Sequence, residues 1–180
     1  MHAQRRCTIS TLIPLFAFPV LIQSQNANQS PISVPPSVKN ITIKYGEDDT
    51  PLKLKPAEQV AFLFVYGIWG REGNCLDKDM GIGRLCTMAE LVSGVKTNAG
   101  GTIGLSEDPG RDTNYSYDII TIGGDCVIRA IPRSPGLGAF ATVGSARRSS
   151  GNFYYNPKGA DLMHAVKLTE YGYEGKGFTR

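Results

Sequence analysis

The sequence predicts an α+β fold, in which one buried helix packs against antiparallel strands from the second half of the chain. Three observations carry that expectation. From Val60 to Trp69 only Gly67 is not apolar. Residues 40–45 and 115–122 alternate in character at period two, as half-buried strands do. Turn residues, Gly46 to Pro51 and Gly123-Gly124-Asp125, stand where hairpins need them.

The helix comes first because the rest depends on it. A segment apolar almost all round must be covered on most sides, by a core, a partner or a bilayer. About ten apolar residues fall short of the ~20 that cross a bilayer, so a core is the better reading. Pro56 suits the first helical position, where a missing N–H costs nothing. Glu58 puts negative charge in the first turn, against the positive end of the helix dipole. Gly70 and Gly73 are natural stops. Val60, Phe62, Leu63, Phe64, Tyr66 and Trp69 are the expected core residues of this helix, 56–69. Val, Phe, Tyr and Trp also favour strands, so a buried strand is the competing reading.

From its start, the chain reads as an exported protein. His2, Arg5 and Arg6 precede an apolar run from Cys7 to Ile22, broken by Pro14 and Pro19. Polar Gln23 to Asn26 then leads to Ala27, a small residue suited to cleavage. Residues 1–27 are therefore expected to be a secretory signal peptide, leaving no stable membrane span. Residues 28–39 are an extended linker, 40–168 the folded domain and 169–180 a Gly-containing flexible tail. Within the domain, 40–45 and 51–55 form an N-terminal hairpin. Thr87-Met88-Ala89-Glu90 fits a capping box and predicts a short helix, Met88 to Ser93, stopped by Gly94. Residues 98–112 read as a surface loop. Tyr115 to Ile122 and Cys126 to Ile131 form a hairpin, with Tyr115, Tyr117, Ile119 and Thr121 on one face. Residues 133–151 look loop-like. Phe153-Tyr154-Tyr155 is strand-like and is followed by a turn at Asn156-Pro157-Lys158-Gly159.

Composition narrows the function classes. Formal net charge is +3, and losing residues 1–27 removes Arg5 and Arg6 but no acid, leaving +1. That is no electrostatic footprint for nucleic acid or an anionic membrane. Three cysteines remain beyond the signal, Cys75, Cys86 and Cys126, an odd count in an oxidising compartment. Cys75 and Cys86 bracket a short loop, so their pairing is favoured and would add ~2–3 kcal/mol by loop entropy. Cys86–Cys126 is the alternative.

Chemical motifs are sparse. His164 is the one histidine after the signal, and nothing in the sequence places it beside Cys126 as a base. Asp77-Lys78-Asp79-Met80-Gly81 opens like a calcium loop but has Met88 at position twelve, and Glu107, Asp108 and Asp112 read as solvated turn residues. No metal or cofactor site is expected, and no catalytic residue is assigned. Asn40-Ile41-Thr42 and Asn114-Tyr115-Ser116 match the acceptor pattern for N-linked glycans.

The order of elements resembles a known family. A long apolar helix ends near Tyr66-Gly67, and a small helix, Met88-Ala89-Glu90-Leu91-Val92, follows it. A Gly-rich loop leads to Tyr115-Ser116-Tyr117-Asp118-Ile119-Ile120-Thr121, then a strand ending Arg129-Ala130-Ile131-Pro132, and finally Phe153-Tyr154-Tyr155 and its turn. Over roughly residues 56–166 this is similar to the globular half of type IV pilins and the pseudopilins of type II secretion. The resemblance implies a pilin-like α+β domain, a long helix laid across a small antiparallel meander, here with the extra N-terminal hairpin. The chain departs from the family in its leader, which lacks the Gly, Phe and Glu that precede and open the filament helix. The expected role is thus an exported, secreted or periplasmic, non-catalytic domain with a structural or docking part in a surface or secretion assembly. A protein partner or self-assembly is expected, with Tyr154, Tyr155, Tyr171 and Tyr173 as docking candidates. The alternatives are a secreted small-ligand or glycan-binding module using those tyrosines and Trp69, and a hydrolase built around His164.

Overall fold

The computed structural model describes residues 30–76, 83–97, 100–122, 125–145 and 150–180. The expected signal segment and the calcium-like stretch Asp77 to Gly81 lie outside the described residues. A seven-stranded antiparallel sheet dominates the fold. Its strands are β1 (Lys39–Tyr45), β2 (Thr50–Pro51), β7 (Tyr115–Ile122), β8 (Asp125–Pro132), β9 (Ala139–Ser145), β10 (Ser150–Asn156) and β11 (Val166–Glu174). They lie in the order β2-β1-β11-β10-β9-β8-β7. Two minimal ribbons complete the strands, β3 (Cys75–Leu76) with β4 (Gly83–Arg84) and β5 (Val95–Lys96) with β6 (Thr102–Ile103).

This corrects the expected fold class. A long helix on a small pilin-like meander with a separate hairpin is not what forms. The sheet is the larger element, and α1 (Pro56–Trp69) is the one helix longer than six residues among the described residues. The hairpin β1–β2 is no appendage, because β1 pairs antiparallel with β11 from the other end of the chain. Residues 133–151, expected as loop, contain β9 and the start of β10. They pair in register from Ala139↔Asn156 to Ser145↔Ser150. Residues 169–180, expected as a tail, continue β11 and then return over the helix.

The helix has the bounds its sequence signals require. Pro56 is its first residue and Gly70 its C-cap. Register assigns the sheet's two faces: Tyr117, Ala130, Phe140 and Tyr155 share one rung, and Ile119, Ile128, Thr142 and Phe153 the next. These side chains face α1. Phe62 meets Phe140 at 6.1 Å and Phe153 at 6.4 Å, and Trp69 meets Phe153 at 5.5 Å. The opposite flank of the helix has a second cover. Phe64 stacks on Phe178 at 4.3 Å, and Ser106 and Gly104 bond the backbone of Phe178 and Arg180. The C-terminal return crosses α1 at Gly67, where an added Cβ would stand 3.2 Å from Thr179 Cγ2 and 3.4 Å from Leu105 Cδ2. That close approach accounts for the one non-apolar residue in the run.

The second helix, α2 (Met88–Ser93), is capped as expected. Thr87 Oγ1 accepts from the Glu90 N–H at 3.3 Å, and Glu90 Oε2 accepts from the Thr87 N–H at 2.8 Å. Arg84 donates to both Glu90 oxygens. These bonds, the Arg84 pair first, pull the Glu90 carboxyl down to about 2. The cap points Leu91, fully buried, into the core.

The return and the cap can each be tested by one substitution. Phe178→Ala should cost about 3–5 kcal/mol of stability in urea unfolding, as loss of a buried aromatic does, whereas a free tail position would change little. Thr87→Ala should cost ~1 kcal/mol. The Glu90 contribution is present above the ordinary carboxylate pKa and lost as pH falls toward 2, so the Thr87→Ala deficit should shrink in acid.

Candidate functional site

The first turn of α1 holds a buried polar hub. Glu58 is 2% exposed, in the first turn of a helix that starts at Pro56 and packs on β8 and β9. Its Oε2 accepts from the Lys55 N–H at 2.8 Å, closing the helix start. Its Oε1 accepts from the Gly138 N–H at 2.8 Å and from the Tyr155 hydroxyl at 2.9 Å. Tyr115 in turn donates to the Gly138 carbonyl at 2.7 Å. Gly138 must be glycine, since a Cβ would lie 2.4 Å from the Tyr155 ring. Burial pushes the Tyr155 and Tyr115 phenols above their ordinary value, and the Glu58 carboxylate beside them reinforces it. A carboxylate with both oxygens occupied and no exposed face serves as an anchor. It ties the helix to two strands far away in sequence.

A second buried carboxylate works the same way. Asp112 Oδ1 accepts from the Asn114 N–H at 2.8 Å, and Oδ2 accepts from the Tyr117 hydroxyl at 2.5 Å. Burial first, and this bond second, raise the Tyr117 phenol. Asp108 caps a turn through the Gly110 N–H, and Glu107 pairs with Arg111 at 3.1 Å. The acids singled out at 107–112 are therefore turn and anchor groups. No three metal-binding side chains gather among the described residues.

Cys75 and Cys86 form a disulfide with Cα atoms 5.1 Å apart. Cys126 lies buried on the helix side of β8, and burial lifts its thiol to about 12. His164 is at the surface after β10, its Nδ1 2.6 Å from Asp161 Oδ2. Nothing in this placement makes His164 a base for Cys126. Of the aromatic candidates, Tyr155 is spent on Glu58. Tyr171 packs on Phe153 at 4.2 Å, and Tyr173 on Tyr66 at 5.3 Å. Trp69 joins the same cluster. Only Tyr154 alternates onto the outer face of the sheet.

The face of the sheet turned away from α1 is partly exposed, with Val127 and Ala141 buried at its middle. Asp118 and Arg129 pair across β7 and β8, beside Ala141 and Tyr154 in register. One rung along, Ile120, Val127 and Val143 lie side by side. Ile122 is 59% exposed and Val143 37%. Among the described residues β7 has a strand neighbour on one side only, so alternate residues turn backbone N–H and C=O groups outward, and at its start Arg133 Nε already donates to the Tyr115 carbonyl at 3.0 Å. The period-two pattern of β7 already put Ile120 and Ile122 on the face opposite Tyr117. The partner rung from β9 had no sequence signal, because that strand is built of Ala, Thr and Gly around one Phe and one Val.

No protein-family model, curated protein or solved structure matches the chain. No helix among the described residues is long and apolar enough to cross a membrane.

Two measurements check the hub. Glu58→Gln removes one acceptor and turns a donor toward the Lys55 N–H, and should cost about 1–3 kcal/mol in urea unfolding, with Glu58→Ala costing more. Stability should also be level from neutral pH to about 10 and fall above it. The unfolded tyrosines ionise there, while Tyr115, Tyr117 and Tyr155 resist ionisation in the fold. Circular dichroism melts taken from neutral to strongly alkaline pH would show the break.

Proposed function

We propose that the chain is an exported, non-catalytic domain that docks a partner protein through the free edge and outer face of its sheet. The partner contributes an extended segment with alternating apolar residues. That segment adds to β7 by backbone hydrogen bonds and rests side chains on Ile120, Ile122, Val127 and Val143. The observation that carries this reading is the apolar rung beside the open end of the β7 edge, which has no second strand neighbour among the described residues. Exposed strand edges are templates for another chain, and most proteins blunt them with charge or proline. Here the end of β7 carries Ile122 instead.

The disulfide Cys75–Cys86 supports export, since such bonds persist in oxidising compartments. The positively charged, apolar start of the chain agrees with it. The internal polar groups agree with a docking role. Glu58, Asp112, Tyr115, Tyr117 and Tyr155 bond one another or backbone, and each lies buried or part-buried.

Photo-crosslinking in the native secretions tests the proposal. A photoreactive residue at position 122 should give a defined covalent adduct, and one at Thr50 on the far edge should not. Val143→Lys should abolish the adduct at 122 while leaving the melting temperature unchanged, because Val143 is on the solvent side. Equal labelling from both positions, or persistence of the adduct in Val143→Lys, would overturn it.

A further inference from the structure

We infer that Asn114 carries an N-linked glycan. Asn114-Tyr115-Ser116 is an Asn followed two residues later by a hydroxyl, with a non-proline between. The fold displays it at the surface. Asn114 is exposed in the bend between a 3-10 turn (Pro109–Arg111) and β7. Its backbone is held rigidly, with the N–H on Asp112 Oδ1 at 2.8 Å and the carbonyl accepting from the Arg133 N–H at 2.8 Å. Its carboxamide forms no hydrogen bond with a described residue, so Nδ2 can be substituted without breaking a contact.

The surroundings suit a sugar. Asn114 stands at the rim of a groove of about 510 Å³, lined by Ile32, Val34, Pro56, Ala57 and Val60. A pyranose presents C–H groups on its faces, and the first residue of a glycan would cover this aliphatic floor where water otherwise lies against it. The same glycan would shield the start of β7, the unpaired edge. Ile120 lies six residues along the strand, about 20 Å away at ~3.3 Å per residue, so the apolar end of the edge stays open.

The transfer balances without an oxidant. A lipid-linked oligosaccharyl diphosphate is the donor. A bond forms between Asn114 Nδ2 and the anomeric carbon, the anomeric C–O bond to diphosphate breaks, and the lipid diphosphate leaves. Nδ2 gives up one proton to solvent. The Ser116 hydroxyl is the recognition group, and in the fold it donates to the Ile131 carbonyl at 3.4 Å.

The inference rests on export, because the transfer takes place in the secretory lumen, and its test separates the two. The full chain, with its own residues 1–29, is expressed in a eukaryotic secreting cell whose competence is verified on an unrelated glycoprotein. Trypsin cuts after Arg111 and Arg129, giving a peptide with Asn114 as its one acceptor. The expected result is a HexNAc-based mass on this peptide from the medium. The sugar should be absent from Ser116→Ala. Peptide N-glycosidase should release it from the unaltered chain and leave an aspartyl side chain where Asn114 stood. A secreted chain with an unmodified peptide, or a Ser116→Ala chain that keeps the sugar, overturns the glycan alone. A chain retained in the cell without sugar overturns export and the glycan together.

Discussion

A helix with apolar residues on nearly every side cannot be stable with one neighbour. A surface helix buries a stripe and leaves the rest to water. Here α1 leaves almost nothing to water: Ala61 to Val65 are fully buried in an unbroken run. Such a helix needs cover from two directions, and the chain supplies it from its two most distant parts. The sheet covers one flank, with Phe140 and Phe153 against Phe62. The return after β11 covers the other, with Phe178 against Phe64. The burial of each aromatic is worth roughly 2–3 kcal/mol. The topology follows from the same need. β11 must run beside β1 so that the chain emerges where it can cross back over the helix at Gly67.

Glu58 fixes the register of this arrangement. Apolar packing is not directional, so a greasy helix on a greasy sheet can slide. A buried carboxylate bonded to Lys55, Gly138 and Tyr155 cannot slide without leaving polar groups unmet. The hub sits at the helix start, where the dipole favours negative charge. It links the helix to the loop before β9 and to the end of β10. Asp112 and Tyr117 do the same at the entry to β7. The polar interior is thus spent on locating elements, and the surface is left to carry recognition.

How legible the fold was depended on whether an element carried its own boundaries. α1 and α2 did, through Pro56, Gly70, the Thr87–Glu90 box and Gly94, and both formed where those residues placed them. The β7–β8 hairpin did too, because Ile, Val and Tyr alternate around Gly123-Gly124. β9 did not. Ala, Gly, Thr and Ser in this stretch give no strong strand signal, and only pairing on both sides makes Ala139–Ser145 a strand. Without β9 the sheet shrinks to a small meander, and a pilin-like comparison becomes attractive. The C-terminal residues misled for a related reason. Three glycines after Thr169 read as flexibility, yet Gly175 has a φ of +95° and turns the chain so that Phe178 can reach the helix. Composition describes a segment alone, and this one is ordered by what it covers. The outer-face site was half visible: Ile120 and Ile122 stood out from alternation, but their neighbour Val143 came from the unseen strand.

The two ends of β7 have opposite characters, and that asymmetry constrains how anything could dock. At its start the edge is crowded by the Asp112–Asn114 bend, by Arg133 and by the acceptor asparagine. At its finish Ile122 is exposed, one rung beyond Ile120, Val127 and Val143. A strand added along the whole edge would have to run past Asn114, and a sugar there stands in its path. One that overlaps only the last residues meets no obstacle and finds the apolar rung. Short overlap gives few backbone bonds, so side-chain burial on that rung must supply most of the attraction. An interface of this kind depends on shape at Ile120, Ile122 and Val143 more than on the edge itself. The edge fixes the direction of approach, and the rung fixes which segment stays.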